Sequence, residues 1–149
     1  MAVISMSRHI DATPGVVFDL CTDVEHFADH VSGIKKCELL TEGPVGVGTR
    51  FRESRVMFGK EATEEMEFTV FRRPSFYQLS ANSCGALYET TFRMSPEDDG
   101  TRIDLEFRVT PMTFVAKLMS PMSKLMAGPL KKCLEKDLAD IQAAAEGRS

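Results

Sequence analysis

The sequence predicts an α+β fold in which an antiparallel sheet of seven strands is covered on one face by a C-terminal helix. Three observations lead to this prediction. Between residues 34 and 110, runs of alternating polar and apolar residues are separated by short segments of turn composition. A weaker alternation covers residues 3–10, ahead of two short helical patterns. From residue 112 to 145, apolar residues recur with helical spacing.

Length and composition limit the class of protein. At 149 residues the chain is long enough for one domain, residues 1–149, with a core that needs no disulfide or metal. The apolar fraction of 43% and the 10 Phe exclude a disordered chain. A net charge of -4 without a basic block argues against nucleic-acid binding. We expect neither a metal nor any other cofactor.

Targeting signals are not evident in the sequence. No apolar run approaches the ~18 residues of a membrane-spanning helix, and the N-terminus lacks the charged leader and continuous apolar stretch of a signal peptide. The four cysteines lie far apart without a CxxC pair, which is typical of reduced thiols. We therefore expect a cytoplasmic protein with no membrane span. Its oligomeric state is left open by the sequence.

The N-terminal segment predicts a strand followed by two short helices. The alternation over residues 3–10 indicates the strand. Thr13 can cap the next helix, and Pro14 suits its first position because the missing N–H costs nothing there. Residues 16–21 continue this helix, and a second helix is expected roughly over 23–31, with one apolar face.

Two polar motifs in this region are weighed as possible sites. The polar face of the second helix carries Asp23, His26 and His30, whose spacing is compatible with a metal site. No fourth ligand is evident and ordinary exposed helix residues explain the pattern, so we expect no metal there. The glycine-rich loop over 43–48 lacks the motifs of nucleotide-binding loops and is expected to be a flexible turn.

Six strands are expected between residues 34 and 110, each with one apolar and one polar row. For the strand over 50–58 the inward row is left open, because both rows mix apolar and charged residues. On the other strands, six residues are expected on the covered, concave face: Met66, Phe68, Tyr88, Phe92, Leu105 and Phe107. Five acidic residues are expected on the opposite, convex face: Glu65, Glu67, Glu89, Asp104 and Glu106.

The C-terminal segment is expected to supply the cover for this sheet. Pro121 and Gly128-Pro129 interrupt its helical pattern, so the chain should break or bend near 127–129. The part after the break, with Leu134, is expected to pack as core. The part before it is rich in methionine, whose flexible side chain suits an adaptable wall. We expect that earlier part to line or gate a binding site.

Four segments of the chain carry a resemblance to a known superfamily: residues 10–20 with the Pro-led helix start, 47–51, 100–103 and 134–146. Together with the order of the elements, they resemble the helix-grip fold of the SRPBCC superfamily, which includes START lipid-transfer domains and polyketide cyclases. The resemblance covers almost the whole chain. It implies a curved seven-stranded sheet wrapped around the C-terminal helix, with an apolar cavity between them that binds hydrophobic ligands. Motifs of this kind indicate a fold and leave the reaction open.

Few residues carry recognisable chemistry. No GxSxG motif is present, and Cys84, in a turn, is not paired with a histidine by any motif. Glu64 is the one ionisable residue on an otherwise apolar row, which makes it a weak acid/base candidate, although we favour the interpretation that it reaches water at the cavity rim. Tyr77 and Tyr88 could place a hydroxyl in the cavity or simply pack against their neighbours.

Three functions are compatible with these observations. The leading hypothesis is binding or transport of a hydrophobic small molecule, such as a lipid, an isoprenoid or a polyketide-like compound. One alternative is an enzyme of the polyketide cyclase/dehydratase type that uses Glu64 or Tyr88. The other alternative is a protein-interaction module that uses the apolar groove. The expected cavity wall consists of Met66, Phe68, Tyr77, Leu79, Tyr88, Thr90, Phe92, Leu105, Phe107, Leu118, Met119, Met122 and Met126.

Overall fold

The computed structural model describes residues 2–57, 59–83, 85–114 and 127–148. In these ranges seven strands form one antiparallel sheet in the order β1-β7-β6-β5-β4-β3-β2. The strands are β1 Ala2–Ile10, β2 Ile34–Leu39, β3 Arg50–Met57, β4 Lys60–Arg72, β5 Phe76–Ser83, β6 Ala86–Glu97 and β7 Gly100–Pro111. The helices are α1 Pro14–Cys21, a 3-10 turn Val24–His26, α2 Phe27–His30 and the C-terminal α3 Ala127–Arg148. This confirms the predicted α+β helix-grip fold.

The sheet is a meander of six strands, to which the first strand of the chain is added at one edge. Strands β2 to β7 pair in sequence, and β1 then pairs with β7, with Ile4 opposite Phe107. The register shifts between Ile34 and Lys36 in β2, and between Phe68 and Val70 in β4. Such shifts bend and twist a strand locally, which curves the sheet and gives it a concave face.

The short helices after β1 form largely as predicted. The Thr13 hydroxyl accepts a hydrogen bond from the Val16 N–H at 3.4 Å, and Pro14 occupies the first turn of α1. The second short helix, expected roughly over 23–31, is present over residues 24–30. It is divided into the 3-10 turn and α2, because His26, with φ -113° and ψ 9°, lies outside the α-helical region.

Helix α3 crosses the concave face and is held by polar contacts on both sides. On the β1 side, Arg8 Nη1 donates to Gln142 Oε1 at 2.7 Å. On the β3 side, Arg55 Nη1 donates to Asp137 Oδ2 at 2.8 Å. Between these contacts, α3 buries an apolar stripe in the core: Leu138, Ile141 and Ala145. No helix in the described ranges has the length and apolar character needed to cross a membrane.

Within the described residues, α3 begins at Ala127, so its first turn contains Gly128 and Pro129, where the sequence predicts a break. The methionine-rich segment before it lies outside the described residues, so the bend near 127–129 and the gate stay predictions. Further along α3, Leu138 is only 1% exposed and lies in the core, as expected of this part of the helix. Leu134 is half-buried and packs against the edge of the core, so Leu138 takes the anchoring position expected for Leu134. The reason is that Leu134 lies at the margin of the apolar stripe.

Strand pairing places the predicted rows on opposite faces of the sheet. Phe92 lies opposite Leu105 and Tyr77, so these side chains share the concave face with the core residues of α3. The neighbouring positions, including Glu89 and Asp104, consequently point to the convex face. The prediction of faces is confirmed for all of its members: Met66, Phe68, Tyr88, Phe92, Leu105 and Phe107 are concave, and Glu65, Glu67, Glu89, Asp104 and Glu106 are convex.

Candidate functional site

One end of the concave face is a closed aromatic core. The Tyr77 and Phe92 rings stack with centroids 4.6 Å apart and planes 10° apart, and Phe18 from α1 meets Tyr77 edge-on at 5.7 Å. Tyr77 is 2% exposed and hydrogen-bonds to the Cys21 thiol. Burial raises the pKa of the Tyr77 hydroxyl well above its usual value, and raises that of Cys21 to about 12. Both groups therefore stay neutral and serve packing.

The middle of the concave face is apolar and only half-buried. Two rows of paired residues cross it, with Leu79, Thr90 and Phe107 in one row and Ala81 and Tyr88 in the next. Every one of these side chains keeps partial solvent exposure although it points to the covered face. The Tyr88 and Phe107 rings lie 6.0 Å apart at a tilt of 42°, so they form one continuous apolar surface.

Beyond these rows the same face becomes polar. Pairing of β2, β3 and β4 places Cys37, Glu53 and Glu64 side by side. Ser83 of β5 completes the line, because its hydroxyl donates to Glu64 Oε1 at 3.1 Å. We name Cys37, Glu53, Glu64 and Ser83 the polar row. Glu64 is half-buried here, so the structure brings it next to a second polar side chain.

Glu53 belongs to a buried ionic cluster that ties β3 to α3. Arg55 donates to Glu53 Oε1 from Nε at 3.1 Å and from Nη2 at 2.8 Å, and to Asp137 Oδ2 from Nη1 at 2.8 Å. The side chains of Glu53, Arg55 and Asp137 are 6%, 19% and 14% exposed. Charge-assisted hydrogen bonds from one planar guanidinium to two carboxylates are directional and hold both partners in fixed positions.

The protonation of this cluster follows from its burial. Desolvation raises the pKa of the Asp137 carboxyl to about 6, and the adjacent Arg55 guanidinium offsets this shift only in part. Burial alone would lower the pKa of Arg55, but Glu53 and Asp137 together raise it, so Arg55 stays charged. Burial also raises the pKa of the Cys37 thiol to about 12, with Glu53 adding to the shift, so Cys37 stays protonated at neutral pH.

Sequence reasoning did not include Glu53, Arg55 or Asp137 in the site. The inward row of β3 was left open, and pairing of Phe51 with Met66 is what places Phe51, Glu53 and Arg55 inward. For Asp137 a signal was present. It lies three residues after Leu134 and one before Leu138, on the apolar side of the predicted helix, where an acidic residue needs a partner.

Neither the polar face of the second short helix nor the glycine loop joins this site. Asp23 and His26 bond to each other at 2.9 Å, and no set of metal-ligating side chains occurs in the described part of the chain. The glycine loop lies next to the closed end, where the Gly48 N–H donates to the Phe68 carbonyl at 2.9 Å. Leu118, Met119, Met122, Met126 and Cys84 lie outside the described residues, so their expected roles stay predictions.

Two surface depressions lie mainly on the convex face instead. One, of about 450 Å³, is lined by Ser7, Arg93 and Asp104 among others. The other, of about 550 Å³, includes Arg52 and Glu65. Their linings are mostly charged or polar and their charges pair across the strands, as Arg52 does with Glu65 at 3.4 Å. Ordinary solvated sheet surface has this composition, so we place the candidate site on the concave face.

Comparison with known proteins agrees with this fold. Two similar solved structures are TTHA0849 from Thermus thermophilus and a START superfamily protein from Mycobacterium smegmatis. The first has a TM-score of 0.68 and 23% identity, covering 96% of this chain and 99% of that one. The second has a TM-score of 0.70 and 18% identity, covering 98% of this chain and 95% of that one. At these identities the likeness shows the fold alone.

A third structure and a family model complete the comparison. The di-domain ARO/CYC StfQ from the steffimycin biosynthetic pathway has a TM-score of 0.80 and 11% identity, and the match covers 98% of this chain and 51% of StfQ. No curated protein sequence matches the chain significantly. The family model for polyketide cyclase/dehydrase and lipid transport proteins matches residues 1–146. The chain therefore belongs to the polyketide cyclase/dehydrase and lipid transport family, within the SRPBCC superfamily.

Proposed function

We propose that this protein binds a hydrophobic small molecule, such as a lipid, an isoprenoid or a polyketide-like compound, on the concave face beneath α3. One observation carries the proposal. The middle rows of that face present Leu79, Tyr88 and Phe107 as half-buried apolar side chains between a closed aromatic end and the polar row. Apolar concave surfaces with a few polar groups at one end are typical of sites for small apolar ligands.

The proposed site extends the expected wall. Met66 and Thr90 add to its half-buried part, while Phe68, Phe92 and Leu105 form its closed floor. The contribution of residues 118–126 remains part of the proposal, as do a single domain over 1–149 and a cytoplasmic location. Affinity would come chiefly from burial of apolar surface, at about 25 cal/mol per Å² before the costs of association.

A steric test distinguishes the concave face from the convex one. Thr90 and Thr91 are neighbours on β6 that point to opposite faces, and both are half-buried. Thr90→Phe would fill the site and should weaken binding of the apolar dye Nile red at least tenfold. Thr91→Phe is the matched control and should leave the affinity unchanged. Equal affinities in the two variants would contradict the proposed location.

A direct search for bound material tests the function itself. Native mass spectrometry and solvent extraction of protein purified from its own host should reveal a co-purifying hydrophobic compound. Loss of that compound in Thr90→Phe, but not in Thr91→Phe, would tie it to the concave face. Protein that is consistently empty and that binds no apolar dye would overturn the proposal.

Cyclase/dehydratase activity is a second candidate, favoured by the polar row. Glu64 and Ser83 lie within hydrogen-bond distance of each other, and Glu53 lies directly opposite Glu64. A carboxylate in this place could take a proton from the carbon between two carbonyls, so that the enolate attacks a further carbonyl and water is then lost. Turnover of a linear poly-β-keto substrate analogue, followed by mass spectrometry, tests it. Equal rates for the native protein and Glu64→Gln would contradict this role.

A further inference from the structure

The carboxylates in and beside the polar row have more acceptor oxygens than the surrounding side chains supply hydrogen-bond donors. Glu53 accepts only through Oε1, from Arg55, and Glu64 accepts only through Oε1, from Ser83. Asp137 accepts only through Oδ2, again from Arg55. Within the described ranges, no donor lies against the second oxygen of any of these three carboxylates.

The free oxygen of Glu53 is the most informative of the three. Glu53 is only 5% exposed, so most of its surroundings are protein. In the described part of the chain no fully buried side-chain nitrogen or oxygen lacks a partner, which means that Oε2 still reaches solvent-accessible space. Oε2 is therefore the one atom of this otherwise buried side chain that is open to a further hydrogen bond, from water or from a ligand. A ligand that covers this oxygen has to supply a hydrogen-bond donor in place of water, since otherwise the oxygen would be buried without a partner.

The charges around the polar row also favour a ligand group that donates a hydrogen bond and carries no negative charge. Arg55 pairs with Glu53 and Asp137, and the Glu64 carboxylate lies opposite Glu53 without an ion pair among the described residues, so carboxylates outnumber guanidinium groups at this end of the site. Among the described residues, a second arginine on the concave face, Arg8, lies on the far edge strand and bonds to Gln142. An anionic group at the polar row would therefore meet repulsion in a partly desolvated setting, where charges interact strongly.

We propose that the ligand's polar end is a hydrogen-bond donor without negative charge, a hydroxyl or an ammonium group, that binds Glu53 and Glu64. Ligands that end in a free carboxylate or phosphate are rejected. The apolar remainder of the ligand lies along the half-buried rows toward Phe107 and Leu79. This inference rests on the proposed function, because it specifies the ligand class of the same site.

Three ligands of equal chain length test the inference. Decan-1-ol, decylamine and decanoate are titrated against protein-bound Nile red at pH 7.5, below their aggregation concentrations. We expect the alcohol and the amine to displace the dye at concentrations at least tenfold lower than decanoate. The difference between alcohol and amine shows whether charge adds to hydrogen bonding. Decanoate that competes as well as the alcohol would overturn the inference.

A pair of neighbouring variants localises the discrimination. Glu64→Gln removes one negative charge from the polar row and should narrow the tenfold preference over decanoate to less than threefold. Glu65→Gln makes the same change one residue away on the convex face and should leave the preference intact. An unaltered preference in Glu64→Gln would overturn the assignment to this row. If native protein binds neither Nile red nor any of the three ligands, the proposed function fails, and this inference with it.

Discussion

Replacing Asp137 with asparagine should change how stability depends on pH. The folded-state pKa of about 6 lies above the ordinary value of 3.8, so the folded protein holds this proton more tightly than the unfolded chain. The associated stability is fully present below pH 3.8 and is lost as the pH rises through 6. The full difference corresponds to about 3 kcal/mol. An asparagine at this position mimics the neutral acid, so the variant should gain up to about 3 kcal/mol over native protein between roughly pH 4 and pH 7.5.

Urea unfolding followed by far-UV circular dichroism measures this difference, since the chain contains no Trp. Asp140→Asn, one turn further along α3, is the control. Desolvation raises the pKa of Asp140, but hydrogen bonds from the Ser32 N–H and hydroxyl, together with Lys136, outweigh it and lower the pKa below its usual value. Asp140→Asn should therefore lose stability relative to native protein as the pH rises through the carboxyl range. Parallel pH profiles for native protein and Asp137→Asn would refute the argument that burial outweighs the Arg55 contact.

Three further changes test the packing of the fold. Leu138→Ala should lower the free energy of unfolding by about 3 kcal/mol, because the Leu138 side chain is only 1% exposed. Leu134→Ala should cost less, because Leu134 is half-buried. Equal losses of stability in urea titrations would contradict the assigned core. Met122→Ala should change ligand affinity more than stability. Titration with the dye and urea unfolding of the same variant measure the two effects. A loss of stability as large as that of Leu138→Ala, with unaltered affinity, would make Met122 an ordinary core residue. Gly85→Ala should lower the melting temperature for two reasons: Gly85 has a positive φ of 75°, and a Cβ at this position would clash with the Thr113 side chain. An unchanged melting temperature would contradict this close approach.

The fold was predictable because most strands of this protein have one clearly apolar row. In β4 and β7, for example, Phe68 and Leu105 alternate with acidic residues, and a sheet covered on one side needs only that signal. The Thr13 cap and Pro14 likewise predict α1 locally. The second short helix was expected as one element over 23–31. The structure divides it because His26 departs from α-helical geometry at the centre of a short segment, where apolar spacing carries little information.

The polar part of the site was less predictable for a physical reason. Both rows of β3 contain charged residues, so its facing depends on the long-range pairing of Phe51 with Met66. Local alternation cannot supply that pairing. The burial of Asp137, in contrast, is evident from local sequence, because this acidic residue lies on the apolar stripe of α3. Its partner, Arg55, lies 82 positions away in sequence and becomes evident only when the sheet curves around the helix.

Contacts between a bound ligand and methyl groups on the two faces test the central claim most directly. Nuclear Overhauser effects from the methylene chain of bound decan-1-ol identify the surface that it covers. We predict contacts to the methyl groups of Leu79 and Val109, which lie on the concave face. Val3 and Val56, 47% and 39% exposed on the convex face, should show none. Contacts to Val3 or Val56 without contacts to Leu79 would contradict a ligand site between the sheet and α3.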